Sequence, residues 1–187
     1  AMKANPHPAV LRTLAAEGLG IECVSAAEIE RVREVLGDDT PVLFTPNFCP
    51  ISEYAYAFEQ GAEVTIDGPE VLRQAPEVFR GRSVALRIDP GGGLGHHEKV
   101  RTAGANQKFG HPIADVGEVV EATRALGVAV IGLHAHVGSG IRRAGAWARI
   151  GRDLATVVSR FPQVGWIDVG GGLGVVERAG QLFLPAG

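Results

Sequence analysis

Short apolar runs alternate with amphipathic stretches along this chain, and the alternation predicts strands and helices in turn. Apolar runs of strand length occupy residues 1–4, 21–24, 42–45, 64–67, 84–89, 129–136 and 166–169. Helical patterns lie between them at 8–17, 25–36, 50–60, 69–74, 115–126 and 146–160. The punctuation agrees with the periodicity. Pro8 stands at a first helical position with Gly18 just past the helix end, and Ser25-Ala26-Ala27-Glu28 reads as a capping box with Gly37 closing that helix.

Strands that alternate with helices imply βαβ units, parallel pairing and right-handed crossovers. The first five strand centres recur about every twenty residues, which suits a barrel of TIM type better than an open sheet. The expected fold class is therefore α/β: a (β/α)8 barrel with seven of its strands in this chain and the eighth absent. An open doubly wound sheet is the alternative. Residues 90–112 interrupt the beat with clustered glycines, His96 and His97, and no periodicity. A segment that long without pattern is commonly functional, and after the fifth predicted strand it falls on the face where barrels build active sites.

Composition narrows the classes without choosing among them. Of 187 residues 45% are hydrophobic and 21% charged, and the net charge is −3. This is the balance of a globular protein, long enough to bury roughly 70% of its unfolded surface. No basic stretch suggests nucleic acid, and no apolar run is long enough to span a bilayer. Cys23 and Cys49 lie in separate apolar segments without a CxxC, so buried thiols in a reducing cytoplasm are expected, not a disulfide or zinc framework. The first residues lack the layout of a signal peptide. Because Met2 to Asn5 stand immediately within apparent structure, the chain 1–187 is expected to be an incomplete piece of a longer protein, a single barrel domain.

Several residues could carry chemistry. Lys3 lies in the first predicted strand. Pointing into a barrel mouth it would be desolvated and competent to form a Schiff base; at a frayed start it would simply reach into water. Gly170-Gly171-Gly172-Leu173-Gly174 follows a predicted strand, as a phosphate-binding nest would, although a plain tight turn fits as well. GxGxxG fails at Val175, and no GxxxxGK[ST] run is present. His134 and His136, two apart, should share one strand face. They read as a metal pair of a barrel hydrolase aided by Asp168 or His96 and His97, as one ring stacked on a flat cofactor with Ser139 on its phosphate, or as structural histidines. Arg87 and Glu22 place charges inside apolar strands. Lys3, Glu22, Arg87 and Asp168 come from four separate segments and are hard to house except around one polar pocket, which favours an enzyme.

The motifs Met-Lys-Ala-Asn-Pro, Glu22-Cys-Val-Ser-Ala-Ala-Glu28, Leu86-Arg-Ile-Asp-Pro90, Lys108-Phe-Gly110, His136-Val-Gly-Ser139 and Asp168-Val-Gly-Gly-Gly172 occur in order. Together they resemble the pyridoxal-phosphate-dependent decarboxylases of the alanine-racemase-like barrel fold, the group that includes diaminopimelate, ornithine and arginine decarboxylases. Pro90-Gly91, His97, Thr102, Gly104 and Lys108-Phe109-Gly110 make the likeness strongest to diaminopimelate decarboxylase. Gln107, Ala103 and Glu22 depart from that family's usual Ser, Gly and Asp.

The resemblance implies that Lys3 bonds the pyridoxal phosphate aldehyde, with Lys108 as its rival. It implies that His136 stacks on the ring, that Ser139, Gly170, Gly171 and Gly172 hold the phosphate, and that Arg87 reaches the ring. Glu22 would neighbour the Schiff-base lysine, and Asp168 would support the glycine turn. The implied reaction releases carbon dioxide from the α-carbon of an amino acid, with meso-diaminopimelate giving lysine as the expected case and the ring as electron sink. Ornithine- or arginine-type decarboxylases and amino-acid racemases are the alternatives within the cofactor class. A metal-dependent hydrolase and a non-catalytic pyridoxal phosphate carrier stand outside it. The family further implies a cytoplasmic homodimer, and an eighth strand with a Glu-Pro-Gly-Arg motif and a C-terminal β domain that do not occur before Gly187, so the fragment alone is expected to be inactive.

Overall fold

A computed structural model of the chain describes residues 1–91 and 109–176. Period-two alternation within the strands sets the architecture. Seven parallel strands form one sheet: β1 (Ile21–Cys23), β2 (Val42–Phe44), β3 (Glu63–Ile66), β4 (Ser83–Asp89), β5 (His111–Pro112), β6 (Ala129–His134) and β7 (Trp166–Asp168). Their spatial order is β1-β2-β3-β4-β6-β7, with the two-residue β5 beside the end of β4. Neighbours in space are thus neighbours in sequence. An open doubly wound sheet would reverse its order at a switch point, so the winding is that of a half-barrel.

The helices are α1 (Pro8–Ala16), α2 (Ala26–Leu36), α3 (Ile51–Glu59), α4 (Pro69–Gln74), α5 (Pro76–Phe79), α6 (Val116–Leu126) and α7 (Gly145–Val158). Residues of the outward row of the strands (Ile21, Cys23, Val42, Phe44, Val64, Ile66, Leu86, Leu133) are buried in a core shared with Ile29, Leu72, Val119 and Leu154 of the helices. Phe79 is fully buried and meets the Tyr54 and Phe58 rings edge-on at 5.4 and 5.8 Å. Phe79→Ala should therefore lower unfolding free energy by about 3–5 kcal/mol, read by urea denaturation, and a loss under about 1 kcal/mol would contradict this packing.

The opposite row is polar. Glu22 lies opposite Leu43, which lies opposite Glu63; Arg87, His134 and Asp168 lie side by side on β4, β6 and β7. Paired positions share a sheet face, so these side chains line the barrel interior. Next to the Gly132 backbone stands Trp166, whose indole occupies the space a Cβ at Gly132 would take.

Two expectations need correction. Residues 1–4 are not a strand: Met2–Ala4 is a single 3-10 turn, with Ala4 N–H on the Ala1 carbonyl and Asn5 N–H on the Met2 carbonyl at 3.2 and 3.1 Å. These local bonds take the few backbone groups of a tetrapeptide before a ladder can. The seventh strand is instead β5, too short to leave a periodic signal. The capping box is also shifted. Ser25 Oγ accepts from Glu28 N–H at 3.3 Å, but the Glu28 carboxylate reaches one residue further back, to Val24 N–H at 2.7 Å. Among the described residues, no helix is long and apolar enough to cross a membrane.

Candidate active site

The strands end in a cluster of polar groups at their C-terminal edge. Arg87 is 7% exposed. Its Nη1 donates to Asn47 Oδ1 at 2.8 Å, its Nε lies 4.0 Å from Asp67 Oδ1, and its guanidinium sits 5.0 Å from the Phe109 ring centroid. Burial lowers the Arg87 pKa from its usual range, opposed by Asp67, Glu22 and Asp89. Burial likewise raises that of Asp67, against the pull of Arg87, of the Gly110 N–H it accepts at 3.2 Å, and of His134.

Glu22 accepts from the Thr45 hydroxyl at 2.6 Å, and its other oxygen is 3.9 Å from the α-amino group of Ala1. That amino group is two residues from Lys3. Contrary to the expectation of a desolvated amine, the Lys3 side chain is exposed, because the 3-10 turn buries Met2 and leaves Lys3 at the rim.

His136 connects the cluster. Burial lowers its pKa below the usual 6.5, and the charges of Arg87, His134 and Lys3 lower it further, with Glu22 opposing. Lys3, Glu22 and Arg87 thus all lie within electrostatic reach of His136. The imidazole should titrate by NMR with a midpoint below 6.5. Since the unfolded chain takes up this proton first, His136 contributes stability that is present above pH 6.5 and lost as pH falls through the lowered folded value. Arg87→Gln should raise the midpoint; a wild-type midpoint at or above 6.5 would contradict the arrangement.

The glycine turn abuts His136. Gly170 and Gly172 adopt φ of +73° and +87°, where a side chain is strained. A Cβ at Gly170 would press on the Ala135 carbonyl and lie 3.2 Å from His136 Nδ1; one at Gly172 would press on the Gly138 carbonyl and lie 3.4 Å from Ser139 Cα. Asp168 Oδ1 accepts from Gly170 N–H at 2.7 Å, while Oδ2 meets His134 Nδ1 at 2.7 Å. The Asp168 pKa is lowered: burial would raise it, but the His134 and Gly170 hydrogen bonds prevail.

Trp147, near the start of α7, donates its indole N–H to the Gly171 carbonyl at 3.3 Å. In a trans peptide the following N–H points the opposite way, so this bond turns Gly172 N–H away from the indole. Among the described residues neither Gly171 N–H nor Gly172 N–H has an acceptor, and the space a Gly171 Cβ would enter is open. Two uncommitted amides, adjacent open space and the nearby Ser139 form a donor set suited to a phosphate.

The structure thus gathers His136, Ser139, Gly170, Gly171 and Gly172 on one wall and Glu22, Arg87 and Lys3 within reach of it. His134 and Asp168 form a pair of their own beneath the turn. Among the described residues no group of three or more His, Cys, Asp or Glu is placed to hold a metal ion. His96, His97, Thr102, Ala103, Gly104, Gln107 and Lys108 lie outside the described residues. Sequence reasoning missed Thr45, Asn47, Asp67 and Trp147, and named Phe109 only as part of a motif. Asp67 carried a signal, as a carboxylate ending an apolar strand in the manner of Asp168; Trp147 and Asn47 carried none.

A half-barrel with its polar groups gathered at the strand C-termini has the architecture of a barrel enzyme, and its glycine turn suits a phosphate-bearing cofactor. The chain belongs to the pyridoxal-dependent decarboxylases: the sequence model of their pyridoxal binding domain matches residues 1–184. It is 33% identical over 181 residues to the diaminopimelate decarboxylase of Methanothermobacter thermautotrophicus, covering 94% of this chain and 42% of that protein. It is 30% identical over 196 residues to the ornithine decarboxylase of Leishmania donovani, covering 100% of this chain and 27% of that one. A crystal structure of diaminopimelate decarboxylase superposes with a TM-score of 0.79 at 27% identity, covering 95% of this chain and 43% of that one. The chain therefore spans less than half the length of these relatives.

Proposed function

We propose that this chain is the cofactor-binding barrel of a pyridoxal-phosphate-dependent decarboxylase that converts meso-diaminopimelate to lysine, working in the intact protein as a cytoplasmic homodimer. The observation that carries the cofactor assignment is the wall formed by His136, Ser139 and the turn at Gly170–Gly172, with Lys3 in electrostatic reach of His136. The wall binds a phosphate through the amides of Gly171 and Gly172 and the Ser139 hydroxyl. His136, its pKa held below the usual 6.5, would stand beside the ring without adding a positive charge there. Lys3 would hold the cofactor's aldehyde through its amine, and its exposure leaves that amine open to the barrel mouth. Glu22, oriented by Thr45, would supply a carboxylate near that amine, and Arg87, fixed by Asn47 and Asp67, would reach the ring. When bound, the cofactor supplies an electron-accepting ring that takes up the charge released as carbon dioxide departs.

Diaminopimelate is favoured as substrate by the identities to diaminopimelate decarboxylases. The test is carbon dioxide release by the intact protein loaded with pyridoxal phosphate. Release from meso-diaminopimelate well above that from ornithine or arginine is expected. The reverse preference would transfer the protein to the polyamine-type decarboxylases, and loss of activity on chelation with no cofactor bound would restore the metal-hydrolase reading of His134 and His136.

A further inference from the structure

His134 has no part in the assignment above, yet it is one of the most deeply buried polar side chains of the barrel interior, at 3% exposure. Strand register explains where it sits. β6 and β7 pair His134 with Asp168, and Ala135 N–H donates to the Asp168 carbonyl at 2.9 Å, so the two side chains project from neighbouring strands at one level. His134 Nδ1 meets Asp168 Oδ2 at 2.7 Å. With the carboxylate ionised, Nδ1 carries the proton and donates, a short, charge-assisted bond.

This bond has a consequence one step further along the chain. A carboxylate is planar, so fixing Oδ2 on a buried ring also fixes the direction of Oδ1. Asp168 Oδ1 is the acceptor for Gly170 N–H at 2.7 Å. Gly170 stands at φ +73° with the Ala135 carbonyl against the place a Cβ would occupy, a conformation that needs an anchor to outcompete the alternatives open to glycine. The anchor at Gly170 is polar, that at Gly171 is the Trp147 indole, and that at Gly172 is Ile141 N–H on its carbonyl at 2.8 Å. Of these, the Gly170 anchor traces back to a side chain of the barrel interior.

We propose that His134 is a positioning residue for the phosphate-binding turn: by holding Asp168 Oδ2 it sets the carboxylate that anchors Gly170, and through Gly170 the direction of the Gly171 and Gly172 amides. The proposal rests on the cofactor assignment made above. It gives the first histidine of the His-x-His pair a task distinct from the second. His136 lies against the turn itself, whereas His134 reaches it only through Asp168.

The test compares pyridoxal phosphate with pyridoxal, which lacks the phosphate, as ligands of the full chain. It uses the wild type, His134→Leu, and His134→Asn, whose amide nitrogen stands near the position of Nδ1. The quantity read is the ratio of the two dissociation constants. His134→Leu should lose roughly tenfold of the preference for the phosphorylated ligand, the scale of a lost hydrogen bond to a charged group, and His134→Asn should stay within about threefold of wild type. A purely structural role would weaken both ligands alike and leave the ratio unmoved, and an unmoved ratio overturns the proposal.

The Gly170 amide resonance provides a second readout in the absence of ligand. Its proton should lie downfield in wild type, move upfield in His134→Leu and return in His134→Asn; indifference to residue 134 also overturns the proposal. If His134→Leu does not fold, Asp168→Asn keeps the carboxylate's shape while removing its charge, and the same loss of preference is expected there, with retention counting against the proposal. A wild type that binds both aldehydes equally would instead overturn the cofactor assignment, whereas a wild-type preference that survives at His134→Leu removes His134 alone.

Discussion

Lys3→Ala should abolish the visible absorption that develops when pyridoxal phosphate is added to the protein, and with it carbon dioxide release from meso-diaminopimelate. The loss should be complete, because the amine is the covalent partner of the aldehyde. It should not be accompanied by unfolding, since the Lys3 side chain is exposed and its neighbour Met2 makes the burial of that turn. A thermal transition unchanged from wild type, together with an absent absorption band, is the expected pair of results. Retention of the band in Lys3→Ala would assign the aldehyde to another amine.

The second large effect separates the three glycines of the turn. Gly172→Ala places a side chain at φ +87° and against the Gly138 carbonyl. Left-handed strain of about 1–2 kcal/mol and overpacking of about 1–3 kcal/mol together lower stability by about 2–5 kcal/mol. Gly171→Ala meets nothing within 4 Å, so its denaturation midpoint should match wild type. The open space beside Gly171 is, however, where the phosphate is assigned. Gly171→Ala should therefore weaken pyridoxal phosphate while sparing pyridoxal, and Gly172→Ala should weaken both. Equal stability of the two variants would contradict the backbone described here, and equal ligand binding by Gly171→Ala and wild type would contradict the placement of the phosphate.

The barrel was legible from the strands that carry both rows. Runs such as Val84–Leu86 and Val130–Leu133 bury both an outward row against the helices and part of the interior, so they read as continuous apolar segments. The polar residues interrupting them, Glu22, Arg87 and Asp168, pointed to an interior pocket because a charge on an otherwise apolar strand needs a partner. Residues 1–4 misled because apolar composition cannot distinguish a strand from a 3-10 turn over four residues. Arg87 was recognisable as a charge awaiting a partner, but the partners Asn47 and Asp67 are 40 and 20 positions away (87 − 47 and 87 − 67), a separation that only the winding of β2, β3 and β4 resolves. For the same reason the division of labour between His134 and His136 was invisible. Two histidines two apart look equivalent in the sequence, but β6 ends at His134, which meets Asp168, while His136 lies beyond the strand against the Gly170 turn.

The chain contains three lysines, Lys3, Lys99 and Lys108. Borohydride reduction of the protein loaded with pyridoxal phosphate, followed by peptide mapping, locates the covalent bond directly. The phosphopyridoxyl group is predicted on the ε-nitrogen of Lys3; its recovery on Lys108 or Lys99, with Lys3 unmodified, would contradict the account.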